Sequence, residues 1–322
     1  MSALGLGLGL SLGKPRTVGD AGELPATFTI PAGYEDTGTK YINFSEPVTV
    51  KMTGGVTLSI GDTPYESGDT IHPASSYHTL TINNPGADGT ITFGKRKQIT
   101  YLVLVSLGSS VITGDITGMK LTYLRLAAIG SSVITGDITG MKLTYLYLTS
   151  LGSSVITGDI TGMKLTYLYL DRMGSSVITG NITGMKLTYL VLNNIGSSVI
   201  EGDITGMPLT FLHLNNIGSS LTYGTTSLNI THNSGIQLRG DTVFATAAEY
   251  ARLIHDAAIA TWGGAYPFRI DAGTNDNCPD WDTVKSDVAT LLTKAAWTII
   301  PSAWLSANGG SWPADWNEYT GE

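Results

Sequence analysis

A leucine recurs every 22 residues through the middle of the chain, at Leu121, Leu143, Leu165, Leu187 and Leu209. Repetition at a fixed short period constrains the fold more than any average property does, because each unit must copy the structure of its neighbours. The unit beginning at Leu143 reads LTYLYLTSLGSSVITGDITGMK. Ile99-Thr-Tyr-Leu-Val-Leu104 falls in register one period earlier, and Tyr77-His-Thr-Leu-Thr-Ile82 one period before that. In the other direction Leu228-Asn-Ile230 follows Leu212-His-Leu214 after only 16 residues, a shortened connection. A unit of this size cannot bury its own leucines. Stacked units bury them between neighbours and form a quasi-one-dimensional core. Strands of successive units then pair in parallel, about 4.8 Å apart, in a sheet that forms one long face. Thr, Ile, Val and Tyr suit such a face. The SSVITGDITGMK stretch carries two glycines and leaves little room for a helix, so extended or 3₁₀ backbone is expected there.

Each unit carries an LxxLxL core, as in Leu165-Thr-Tyr-Leu168-Tyr-Leu170, and a GDIxGM stretch, as in Gly158-Asp-Ile160-Thr-Gly-Met163. On these residues the chain resembles the leucine-rich repeat family, well over 77–230 and loosely beyond. One departure stands out. Where the family places Asn or Cys after LxL, this chain has Leu107, Ile129, Leu151, Met173, Ile195 and Ile217, each followed by Gly. The asparagine ladder is missing at that place, and the turn must be closed by other means. The fold class expected is mainly β: a leucine-rich-repeat-like solenoid with a parallel sheet, an N-terminal β-rich domain and an α/β C-terminal cap. The expected division is 1–17 Gly/Leu-rich attachment segment, 18–76 β-rich adaptor, 77–240 solenoid, 241–301 cap and 302–322 Trp-rich tail.

The repeats supply their own internal comparison. Between Gly108 and Gly218 the framework SSVITGDITGMKLTYL is almost copied, and changes concentrate at three strand positions. The fifth runs Val103, Arg125, Tyr147, Tyr169, Val191, His213. The seventh runs Val105, Ala127, Thr149, Asp171, Asn193, Asn215. The eighth runs Ser106, Ala128, Ser150, Arg172, Asn194, Asn216. Position three is an aromatic column: Tyr101, Tyr123, Tyr145, Tyr167, Tyr189, Phe211. Positions three, five and seven of a strand point the same way, so the variable positions are expected to line one exposed face beside that column. Unconstrained drift would also touch the exposed Ser, Thr and Lys of the framework, yet Lys120, Lys142, Lys164 and Lys186 are identical. Variation confined to one face, among aromatics with Arg, Asp and Asn, is the composition of a recognition surface. The column also has a purely structural reading, since cross-strand aromatic stacking stabilises a sheet. The candidate binding set is Tyr123, Arg125, Tyr145, Tyr147, Thr149, Tyr167, Tyr169, Asp171, Arg172, Tyr189, Asn193, Asn194, Phe211, His213 and Asn215.

The flanks read differently. Thr27–Ile30 alternates as a strand, and Val48–Met52 and Val56–Ile60 flank Thr53-Gly54-Gly55 as a hairpin would. The Lys95-Arg96-Lys97 cluster reads as a solvated strand edge. Thr246–Ala260 reads as a helix with Thr246 as N-cap and Glu249 three residues on. Pro267–Ile270 is a strand, Asp280–Lys294 a second helix and Ala296–Ile300 a last strand. All six tryptophans lie from Trp262 onward. At the other end Leu4 to Leu12 alternate with Gly and Ser, without the basic region of a secretory signal, in a stretch too short and Gly-rich to span a membrane.

Chemistry is sparse. Charged residues are 14% of the 322 and the net charge is −8, a poor match to nucleic-acid binding. The one cysteine, Cys278, excludes an intrachain disulfide framework, no histidine pair makes HExxH, and no GxSxG, P-loop or paired-carboxylate motif rises above chance. The acidic loop 271–282 is the best metal candidate but lacks EF-hand spacing, and Asp280 more simply caps the helix after it. The recurring Asp115, Asp137, Asp159 and Asp203 are read as turn hydrogen-bonders, because Asn181 replaces one of them. An enzyme, such as a fibre-borne polysaccharide depolymerase, would need clustered carboxylates, and the variable face offers only Asp171. No enzyme activity and no cofactor are expected.

The terminal segment and overall layout resemble fibre or adhesion proteins of bacteriophages. That resemblance implies a protein displayed on a virion, binding a host surface protein or glycan and joined to other virion proteins through its N-terminal segment. A homotrimer is a possible assembly, although no coiled-coil heptads occur. A bacterial cell-surface or secreted leucine-rich repeat adhesin, and a purely structural virion decoration, stand as alternatives.

Overall fold

The computed structural model describes residues 24–109, 111–218, 221–224, 235–240, 244–259, 268–272 and 279–292. Its centre is a β-solenoid of about six turns. The LxL segments form strands Ile99–Val105, Tyr123–Ala127, Tyr145–Thr149, Tyr167–Asp171, Tyr189–Asn193 and Phe211–Asn215. They pair in parallel with no register slip, so Tyr145 lies beside Tyr123 and Tyr167, and Leu146 beside Leu124 and Leu168. Gly235–Gly240 and Phe268–Ala272 continue this sheet in the same sense.

A second parallel sheet lies opposite, built by Thr113–Asp115, Val133–Asp137, Val155–Asp159, Val177–Asn181, Val199–Asp203 and Leu221–Thr222. The stretch expected to be extended or 3₁₀ is thus extended, and regular enough to pair. Each turn contributes one strand to each sheet. In the rung from Leu143, the side chains of Leu143, Leu146, Leu148, Leu151, Ile156, Ile160 and Met163 are all buried in one cluster shared with the next rungs. Full burial of such a side chain is worth about 1.5–3 kcal/mol. That is how a rung of 22 residues holds with neither helix nor disulfide.

Two glycine positions set the close rung spacing. Gly130 has φ +60°, and a Cβ there would meet the Gly108 carbonyl oxygen at 2.1 Å. Gly158 has φ +149°, and a Cβ would come within 2.7 Å of the Ile138 side chain and 2.9 Å of the Thr139 amide nitrogen. Both repeat because the backbone of one rung passes directly over that of the next.

The first rung is closed by antiparallel strands from the N-terminal region. Ala26–Ile30 pairs with Thr113–Asp115, and Thr39–Phe44 pairs with Ile99–Val105. Further strands extend each sheet: Gly89–Phe93, Val48–Met52 and Thr70–Ile71 in one, His78–Asn83, Thr57–Ile60 and Thr63–Tyr65 in the other. The N-terminal sandwich and the solenoid share one apolar core. Open edges that would template aggregation are covered in this way.

Three expectations are corrected here. Tyr77–Ile82 matches the repeat spacing, but His78–Asn83 runs antiparallel to both of its neighbours, Thr39–Phe44 and Thr57–Ile60. Parallel rungs begin at Ile99, because spacing in sequence does not encode chain direction. Thr53-Gly54-Gly55 is not a hairpin turn. It carries the chain from Val48–Met52 in one sheet to Thr57–Ile60 in the other, with Gly54 held too close to Asp88 and Gly89 for a side chain. Arg96 is not merely solvated. Its guanidinium bonds the Pro25 and Thr117 carbonyls and pairs with Asp115 at 3.2 Å, tying the N-terminal region to the first turn.

At the far end, helix α1 (Ala247–Ile259) and helix α2 (Trp281–Leu292) pack through Leu253, Ile254, Ala257, Val284, Val288 and Leu291. The Glu249 carboxylate accepts from the Thr246 amide at 3.0 Å and hydroxyl at 2.8 Å, one half of a capping box, while the Glu249 amide donates to the Thr246 carbonyl at 3.2 Å. Its other oxygen accepts the Tyr223 amide of the last rung, and Arg252 donates to the Tyr223 and Gly224 carbonyls. These bonds satisfy a sheet end that α1 would otherwise bury unpaired. The segment 1–17, Leu228–Ile230, the expected strand 296–300, residues 273–278 of the acidic loop including Cys278, and the Trp-rich tail lie outside the described residues.

Candidate functional site

The aromatic column of position three is continuous. Successive ring centroids from Tyr101 through Tyr123, Tyr145, Tyr167 and Tyr189 to Phe211 lie 4.2, 4.0, 4.2, 4.4 and 4.8 Å apart, with interplanar angles of 16° or less. Tyr77 and Tyr41 extend it into the N-terminal sheet at 5.5 and 4.3 Å. The spacing is that of the rungs, so the rings stack by registry. Stacking covers the ring faces and leaves edges and hydroxyls outward. Burial pushes the Tyr101, Tyr145 and Tyr167 phenols well above their ordinary range, and neighbouring phenols add to it. These groups are therefore neutral hydroxyls at any physiological pH.

Position five forms a shorter column beside the first. Tyr147 stacks on Tyr169 at 4.2 Å, and the Arg125 guanidinium lies 4.9 Å from the Tyr147 centroid, a cation–π contact. Burial, then Tyr147 and Asp171, push the Tyr169 phenol up to about 12. His213 ends the column, with its imidazole pKa lowered by burial against an opposing pull from Asp171. Arg125, Tyr147, Tyr169 and His213 are half-buried, whereas Val103 and Val191 are buried. The Arg125 Nε and His213 Nε2 atoms are buried without a protein partner.

Position seven is withdrawn from the exposed face in the middle rungs, whereas Val105, Asn193 and Asn215 are half-buried. Ala127, Thr149 and Asp171 are 5%, 8% and 3% exposed. Position eight bends the chain beside them. All six residues there, Ser106, Ala128, Ser150, Arg172, Asn194 and Asn216, have φ between 47° and 56°, so the chain turns off the sheet immediately after position seven. The polar members of position seven bond to one another. Thr149 donates to Asp171 at 2.9 Å, Asn193 donates to Asp171 at 2.8 Å, and Asn215 donates to Asn193 at 2.6 Å. Asn216 donates to Asn194 at 2.8 Å in a parallel column, and Arg172 pairs with Asp171 at 2.9 Å. An Asn-containing ladder does exist, then, on the strand rather than after it. Of the candidate set, the structure brings Tyr123, Tyr145, Tyr167, Tyr189, Phe211, Arg125, Tyr147, Tyr169 and His213 onto one face. Arg172 and Asn194 are exposed beyond its border, Asn193 and Asn215 are half-buried beside it, and Thr149 and Asp171 are withdrawn from it.

The turns are closed by buried serines, which sequence reading did not single out. Ser154 Oγ donates to the Ser132 carbonyl at 3.0 Å and accepts the Ile134 amide at 2.8 Å, and Ser176 repeats this against Ser154 and Ile156. The signal in the sequence was the Ser-Ser pair itself, in which neither serine varies, so it did not mark which of the two is buried. At the opposite turn, Asp137, Asp159 and Asn181 each accept the amide two residues on at 2.8 Å. Only an acceptor oxygen is needed, which is why Asn181 can replace Asp.

Among the described residues no three His, Cys, Asp or Glu side chains come together as a metal site would require, and no helix is long and apolar enough to cross a membrane. Comparison with protein-family models, curated proteins and solved structures finds no match.

Proposed function

We propose that this chain is a non-enzymatic recognition protein that contacts a host surface protein or glycan through the strand face of its solenoid. The observation that carries the reading is the fifth strand position. Rungs that are otherwise near copies differ there, as Arg125, Tyr147, Tyr169 and His213, at outward and partly open places beside an unbroken aromatic column. A rigid face that varies side chain by side chain over a fixed backbone is how repeat proteins diversify specificity. In its finer form the proposal is a leucine-rich-repeat-type fibre displayed on a virion, with the N-terminal segment as its attachment. A bacterial surface adhesin of the same build is the second source of such a face.

A structural-decoration reading has one observation in its favour: the tyrosine faces are occupied by one another. The two are separated by binding of the full-length protein to a panel of bacterial cells and surface glycans. The comparison is a variant with Arg125, Tyr147 and Tyr169 changed to Ala, its fold checked by circular dichroism. Binding by the wild type and not by the folded variant supports recognition. Equal binding by both, or by neither, removes the strand face from the function.

A further inference from the structure

Lys120, Lys142, Lys164 and Lys186 occupy the same place on four successive rungs. All four are exposed, and none is in an ion pair among the described residues. In-register stacking sets their backbones about 4.8 Å apart. Like charges on adjacent strands repel and destabilise a sheet, so an unpartnered column of four stands against folding economy. The Gly-Met before each lysine and the Leu-Thr-Tyr-Leu after it are copied with it, and the column ends at Pro208 in the following rung.

What flanks the column narrows its ligand. Two residues on, Thr122, Thr144, Thr166 and Thr188 each donate to the carbonyl of the preceding rung, leaving their hydroxyl lone pairs outward. Next come the hydroxyls and edges of the tyrosine column. At the N-terminal end Lys120 and Lys142 open onto a cleft of ≈ 430 Å³, also lined by Lys97, Gln98, Ser45 and Glu46.

We propose that this edge is a binding track for a linear anionic glycan lying along the solenoid axis, with ammonium groups on its carboxylates or sulfates and the threonine and tyrosine hydroxyls on its ring hydroxyls. The track is a different surface from the variable strand face and does not depend on it. An extended glycan advances per sugar by about the distance the solenoid advances per rung, so one charge meets one lysine. A nucleic acid fits less well. Its bases need open aromatic faces, and here those faces are stacked on one another.

The test is affinity of the full-length protein for polygalacturonate, dextran sulfate, neutral dextran and poly(dT), across salt concentrations. The variants are Lys120, Lys142, Lys164 and Lys186 together changed to Gln, Lys51→Gln as a lysine outside the column, and the Arg125/Tyr147/Tyr169→Ala face variant. The expected result is binding of polygalacturonate, dextran sulfate or both, but not dextran. That binding weakens with salt, falls at least tenfold in the four-lysine variant, and is unchanged in the other two. Which polyanion binds tighter identifies carboxylate or sulfate as the group recognised. The proposal is overturned if neither anionic glycan binds, if the folded four-lysine variant binds as the wild type does, or if poly(dT) binds as tightly at equal salt. Loss of cell binding in the face variant alone, with glycan affinity intact, separates the two surfaces.

Discussion

The Asn193 amide donates to Asp171 Oδ1 at 2.8 Å across the gap between two rungs. The bond joins two members of the variable seventh position on adjacent rungs, and it gives that variation a partner within the protein. Thr149 bonds the other oxygen of the same carboxylate. Asp171→Ala leaves the buried Thr149 hydroxyl and the half-buried Asn193 amide without this carboxylate, which costs about 1–2 kcal/mol. The Arg172 pair adds little, because its guanidinium is 66% exposed. Denaturant unfolding is expected to show this loss, while ligand binding measured below the unfolding transition is unchanged. An intact fold with lost binding would return Asp171 to the recognition face.

Ser154 closes its turn by bonding two backbone groups at once. Ser154→Ala removes the acceptor of the buried Ile134 amide, with an expected cost of about 1–3 kcal/mol in unfolding free energy. Ser153, its exposed neighbour, is the control, and Ser153→Ala is expected to stay within about 0.5 kcal/mol of wild type. Equal effects at the two serines would dispose of the ladder as the closing device.

Position eight requires a left-handed backbone whatever residue stands there, and Ala128 sits at φ 48°. A non-glycine residue in this region carries a penalty of about 1–2 kcal/mol, which Asn tolerates best. Asn194 and Asn216 suit it, and Ala128 does not. Ala128→Gly is expected to stabilise the protein by about 1 kcal/mol, read as a higher denaturation midpoint with an unchanged slope. Gly158→Ala runs the other way, since its Cβ would overlap the rung below. A neutral or destabilising Ala128→Gly would mean the turn is held by something other than this backbone geometry.

The rungs and their inward leucines were legible because a 22-residue period with LxL at fixed phase admits few packings. The second sheet was less so. Val155-Ile-Thr-Gly-Asp159 buries one isoleucine and contains a glycine, so its strand character comes from pairing with copies of itself. The withdrawal of Thr149 and Asp171 was not legible. Strict alternation points position seven outward, and only the structure shows the left-handed bend at position eight beside it. Tyr77 shows the opposite failure: its ring joins the tyrosine stack at the expected spacing, although its strand runs the other way.

Acid sensitivity is expected in two separate steps. Burial lowers the His213 pKa below 6.5, with Asp171 opposing, so the unfolded chain binds this proton more readily than the folded one. Stability is therefore unaffected by His213 above about pH 6.5 and falls as pH drops from there toward the folded pKa. The turn carboxylates act lower down. Hydrogen bonds from Thr139 and Thr161 hold Asp137 and Asp159 below the ordinary 3.8, so their contribution is present above that pH and lost as pH falls through the folded values. His213→Gln is expected to flatten the melting temperature between pH 6.5 and 5 and leave the lower step intact. Replacing Asp137 and Asp159 by Asn, as the chain itself does at Asn181, is expected to weaken the lower step and spare the upper one. A His213→Gln protein that still loses stability between pH 6.5 and 5 as the wild type does would show that another group carries that step.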